Sequence, residues 1–137
     1  MVKFKSYFVA VILGTALAFA SVVIVSYGAA VAIPADILNP VAQISGLLAF
    51  TLVDLFTIAV PMATAFLIVA FASKLVISKP DFTLYVLLLG PLVLLQLFFV
   101  AQSQPQMLNN IVTTLARILL LTVCFYFLVR SSKQPNA

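Results

Sequence analysis

"FTLYVLLLGPLVLLQLFFVA", residues 82–101, decides the fold of this chain. From Phe82 to Ala101 there is no charged side chain, and Gln96 is the one amide. About 20 helical residues cross a ~30 Å hydrocarbon core, so a run of this length and character predicts a membrane-spanning helix. A transmembrane β-strand would be about 10 residues long and would alternate apolar with polar positions. The segment shows no such alternation.

Working outward, the same reading applies to residues 7–33, 43–73 and 108–129. The connectors "PADILNP" (34–40), "SKLVISKPD" (73–81) and "QSQPQMLNN" (102–110) each combine proline with Asn, Asp, Ser or Gln, the residues of turns and helix breaks. The whole chain is 65% hydrophobic and only 7% charged, too little charge to cover a water-facing surface. The expected fold class is therefore all-α: a polytopic membrane protein, a bundle of four transmembrane helices with short connectors, forming a single domain over residues 1–137.

The net charge of +4 comes from thinly spread basic residues, with no cluster to track phosphates, which excludes nucleic acid as a partner. Lys3 and Lys5 precede the first span, Lys74 and Lys79 lie in the second connector, and Arg130 and Lys133 follow the fourth span. The first and third connectors carry no Lys or Arg, and Asp36 is their only charge. Positive-inside asymmetry then predicts both termini in the cytoplasm, with a bacterial inner membrane as the expected location. Four-helix proteins that insert in both orientations, such as the fluoride channels, need balanced flanks, so the chain is similar to them in size and helix count alone. Small multidrug exporters also have four short helices, but they carry a membrane carboxylate in the first, where this chain has none. At the N-terminus, Ala18-Phe19-Ala20 has the form of a signal-peptidase site. The apolar run continues to Ile33, beyond the roughly 7–15 residues of a signal h-region, which favours an uncleaved first helix.

Catalytic chemistry finds few candidates. The sequence contains no histidine, which excludes a His-ligated haem, a His-bound zinc and a Ser-His triad. The single Cys124 lies in an apolar run and reads as a small core residue. Asp36, Asp54 and Asp81 fall at different depths and cannot form a carboxylate dyad. No catalytic residue, metal site or cofactor is expected.

What remains is a set of polar residues inside the spans. Asp54 in the second and Arg117 in the fourth each cost about 2.5–3.5 kcal/mol at a helix centre, and such residues usually face the bundle interior and pair. At about 100° per residue, Asp54, Thr57, Pro61 and Thr64 share a sector of one helix, and Asn110, Thr113, Thr114, Arg117 and Cys124 share a sector of another. Gln96 extends the polar cluster on the third span, with Tyr85 and Ser103 on its side. At ~1.5 Å per residue Asp54 stands about 30 Å above Lys74, and Arg117 about 20 Å above Arg130, so tilt and the long Arg stem are needed for them to meet. Pro61 removes the donor for the carbonyl of Thr57 and predicts a kink, and Gly90-Pro91 a second. Ala10, Gly14, Ala18, Ser21 and Gly28 form a small-residue face on the first span, where another helix can approach closely. Besides the lipid bilayer, the expected partners are other membrane-protein subunits or further copies of the chain. The expected function is a non-catalytic accessory or interaction subunit. The alternative is a small oligomeric transporter or channel using Asp54, Gln96 and Arg117.

Overall fold

The computed structural model describes residues 2–77, 80–102 and 107–133. Lys79, Ser103 and the end of the C-terminal tail, 134–137, lie outside them. The described residues are helical, with no strand: α1 (Val2–Ala30), α2 (Ala35–Ile44), α3 (Gly46–Asp54), a π-helical turn (Leu55–Ala59), α4 (Val60–Val76), α5 (Phe82–Gln102) and α6 (Met107–Lys133). Helix is the only open form whose backbone groups all bond within one segment, as a lipid solvent demands. Four segments are long and apolar enough to cross a membrane: 3–28, 46–76, 82–102 and 110–133. The protein is thus a small multi-pass membrane protein. The second span, at 31 residues, is the longest. A straight helix of that length reaches about 46 Å, more than a ~30 Å core, so it tilts or protrudes.

The first connector departs from the sequence expectation. "PADILNP" is not a turn but the first part of α2, which continues to Ile44. Pro34, at φ −54° and ψ 135°, stands just before its first turn, and its carbonyl accepts from Ile37 and Leu38. Asp36 in that turn complements the positive end of the helix. The 3.6-residue period puts Ile37, Leu38, Val41 and Ile44 on one side and Asp36, Asn39 and Gln43 on the other. None of these residues is buried by the rest of the chain. Ile37 and Ile44 are exposed and Leu38 and Val41 half-buried, and an amphipathic helix with such a largely uncovered apolar side suits the lipid headgroup boundary. Ser45 separates it from the second span: its backbone is extended, and its Oγ accepts from the Leu48 amide at 3.3 Å.

Asp81 fixes the start of α5 and its place beside α1. One carboxylate oxygen accepts from the Leu84 amide at 2.9 Å and the other from the Tyr7 hydroxyl at 2.9 Å. Farther along, Gly14 of α1 lies against the carbonyls of Leu87 and Leu88, so α1 and α5 run parallel and form the most extensive helix pair in the bundle. Phe82 packs edge-on against Phe125, which sets α6 antiparallel to α5. Lys3, Lys5, Lys74, Arg130 and Lys133 consequently share one end of the bundle. The core between the spans is built from Leu17, Met62, Phe66, Tyr85, Leu88, Leu92 and Leu121.

The small-residue face of α1 is spent inside the chain rather than left for a partner. Ala10, Gly14, Ala18, Ser21 and Gly28 are all buried. A Cβ on Gly14 would fall 2.7 Å from the Leu88 oxygen and 2.8 Å from that of Leu87, and one on Gly28 would fall 2.6 Å from the Thr57 oxygen. Leu87 and Thr57 each stand four residues before a proline, Pro91 and Pro61, which has no N–H to donate back. Both glycines therefore seat α1 on carbonyls deprived of their α-helical donors, where close Cα–H groups offer partial compensation.

This geometry separates the glycines by function. Gly14→Ala, which must push rigid backbone aside, is expected to lower thermal stability in detergent by about 1–3 kcal/mol. Gly90→Ala, at a glycine with no atom within 4 Å of the added carbon, is expected to leave the melting temperature unchanged or raised. Parallel melts of the two variants check the contrast.

Candidate functional site

Where Pro61 interrupts the second span, the hydrogen-bond ladder does not simply bend. It widens into the π turn Leu55–Ala59, with the Val60 amide donating to the Leu55 carbonyl five residues back. Such single π turns relieve a missing donor and are common at functional sites. Asp54 is the last residue before this turn and is 7% exposed.

Arg117 of α6 meets it. Arg117 Nε donates to Asp54 Oδ2 at 2.7 Å, and Nη2 donates to Asp54 Oδ1, a two-bond fork onto one carboxylate. Nη1 donates to Gln96 Oε1 of α5 at 3.0 Å. The side chains of Arg117 and Asp54 are 13% and 8% exposed, so this is an enclosed ion pair joining three spans. The fork geometry is the strongest form of carboxylate recognition available to a side chain. The pair as a whole is neutral, which lowers the cost of holding either charge in lipid.

The structure thus brings Asp54, Arg117 and Gln96 together. It does not bring in Thr57, Pro61 and Thr64 as the helical sector suggested. Pro61 and Thr64 face outward from the bundle, and Thr64 Oγ1 donates to its own helix at Val60, 2.8 Å away. Half-buried Thr57 likewise donates to Val53 at 2.8 Å. The physical reason is the π turn, which inserts one extra residue and so rotates everything after it by about 100° relative to Asp54. The acceptor released by Pro61 is covered by Gly28 of α1, not by a hydroxyl from the cluster. Tyr85 is buried in the main core, away from the pair, and Cys124 is half-buried beside that core.

The residues at the start of α6 border a cavity next to the pair that is open on its outer side, where Val22 and Phe99 are exposed. It has a volume of about 300 Å³ and lies between α1, α5 and α6 toward the end of the bundle opposite the lysines. Asn110, Thr113, Thr114 and Arg117 line one side, Gln96 and Phe99 another, and Val22 and Val25 the third. Thr113 and Thr114 are buried, and Thr113 Oγ1 donates to the Asn110 carbonyl at 3.1 Å. Sequence reasoning found the polar members of this wall on α5 and α6 but missed its α1 side: Val22 and Val25 carry no polar signal, and Ser26, which also lines it, donates to its own helix at Val22. Gln96 itself is 2% exposed, and its Nε2 has no hydrogen-bond partner among the described residues. Because Arg117 has only donors to offer, the amide must present its oxygen to Arg117 and its NH2 elsewhere. A buried donor left in this state costs about 1–3 kcal/mol.

With the geometry in hand, comparison with known proteins adds no relative: no protein-family model, curated protein or solved structure matches the chain.

Removing one charge of an enclosed pair strands the other. Asp54→Leu and Arg117→Leu are each expected to lose about 3–5 kcal/mol, whereas the double variant is expected to recover most of that loss. A double-mutant cycle measured by unfolding in detergent checks it: additive single effects would mean that the pair is not coupled.

Proposed function

We propose that this protein is a non-catalytic accessory or interaction subunit of a membrane complex, set in a bacterial inner membrane with both termini in the cytoplasm. The observation that carries this reading is the way Arg117 closes on Asp54 and Gln96. A fixed guanidinium takes both carboxylate oxygens of Asp54, which commits the acid to a contact between helices. Such a cluster acts as a pin for three helices, holding a rigid bundle whose outer faces do the work of contact. Most of the surface of each span is uncovered by the chain itself, including Phe4, Phe8 and Phe19 on α1 and Phe98 and Phe99 on α5. These faces meet lipid or the helices of a partner.

The second reading, a small oligomeric transporter or channel, draws its support from the cavity beside Gln96. The two readings differ in what they require of Asp54. An accessory subunit purified in mild detergent from native membranes, with a tag after Lys133, is expected to bring down a membrane protein in fixed ratio, identified by mass spectrometry. Recovery of this chain alone, together with a pH- or ion-dependent flux in liposomes that vanishes in Asp54→Asn, would reverse the choice.

A further inference from the structure

The end of the bundle that carries the basic residues has little acid to answer them. The chain has three acidic side chains: Asp54 is held by Arg117, Asp36 lies in α2 at the opposite end, and Asp81 accepts from the Leu84 amide and the Tyr7 hydroxyl. Arg130 and Lys133 are exposed, and neither pairs with a carboxylate side chain among the described residues. Both border an open groove of about 320 Å³ along α6, with Tyr126 and Val129 as its other walls. At about 100° per residue these four positions fall within a sector of about 100°. Their depth is set by α5. Phe82, the first residue of the third span, packs on Phe125 with ring centroids 5.4 Å apart, so Tyr126 stands at the edge of the hydrocarbon. At ~1.5 Å per residue Arg130 lies about 6 Å and Lys133 about 10 Å farther out, across a headgroup layer of about 5–8 Å per leaflet.

A ligand that fits this groove presents an apolar chain at the level of Tyr126 and Val129 and a negative charge one turn farther out. A soluble anion offers only the charge, and a phospholipid offers both. Arginine can take two phosphate oxygens through its fork, and lysine adds a point charge. The headgroup narrows the class further: a zwitterionic lipid would bring its own ammonium beside two cations, with no free carboxylate to receive it. We propose that the groove formed by Tyr126, Val129, Arg130 and Lys133 is a binding site for an anionic phospholipid. Its phosphate lies between Arg130 and Lys133, and the first part of its acyl chain runs along Val129 and Tyr126. The site is independent of whether the protein serves as a subunit or as a pathway.

The sequence has no tryptophan, so Tyr126→Trp puts a single indole in the groove and keeps a flat ring with one polar hydrogen. The full chain is placed in phosphatidylcholine nanodiscs with a minority of phosphatidylglycerol. One lipid at a time carries bromine high on its acyl chain, which quenches an indole it touches. Molecule for molecule, brominated phosphatidylglycerol is expected to quench about 10-fold more effectively than brominated phosphatidylcholine, a preference within reach of two cations at the surface. Arg130→Gln combined with Lys133→Gln should remove the preference and, both side chains being exposed, leave the melting temperature unchanged. Lys3→Gln combined with Lys5→Gln, which takes the same charge from the same end, should keep it. Glycerol phosphate, a headgroup without chains, should reduce the quenching no more than potassium chloride of equal ionic strength. Equal quenching by the two lipids would overturn the proposal. So would equal loss in both double variants, since the net charge of that end would then attract anionic lipid without a site. Displacement by glycerol phosphate beyond the salt effect would overturn it in favour of a soluble phosphate.

Discussion

The bundle depends on one guanidinium. Arg117 spends two donors on Asp54 and a third on Gln96, and so ties the second, third and fourth spans at one level. In water such an arrangement adds little, because each group has solvent as an alternative partner. In a bilayer the alternative is a bare charge in hydrocarbon, so the same contacts become a condition of folding rather than a refinement. The rest of the packing is apolar surface against apolar surface, which lipid tails satisfy as well as protein does and which therefore specifies little. The polar tie supplies the register that the Leu and Phe contacts cannot.

Much of this was legible in the residues. The spans emerged from apolar length, because a ~30 Å hydrocarbon slab imposes a blunt requirement that one Asp or Arg in a span does not disguise. One acid and one base in otherwise apolar segments pointed to each other through the cost of leaving either alone. The sector of Asp54, Thr57, Pro61 and Thr64 misled because it assumed a constant 100° step. A proline announces a disturbed ladder, but nothing in the sequence says whether the helix kinks or takes up an extra residue. Here it took up the residue, and Pro61 and Thr64 turned outward. The α2 helix was missed for a different reason: its prolines and Asn39 signal a turn, yet its apolar residues follow a helical period. The proline at its entry sets the helix up rather than ending it.

A second dependency runs between proline and glycine. The carbonyls of Thr57 and Leu87 lose their usual donors to Pro61 and Pro91, and both lie where a glycine of α1 comes close enough to touch. A carbonyl tilted out of its ladder is a liability in lipid and an opportunity for a smooth neighbour. The small-residue face of α1 fits this role: the close approach that it offers is taken up by α5 and the π turn of the same chain.

The ion pair also has a history within each molecule's synthesis. Asp54 precedes Arg117 by 63 residues, so it enters the membrane well before its counter-charge exists. At about 5–20 residues per second that interval is roughly 3–13 s. During it, the nascent second span carries a carboxylate without its guanidinium partner. Completion of the last span then converts a temporary burden into the lock of the finished protein.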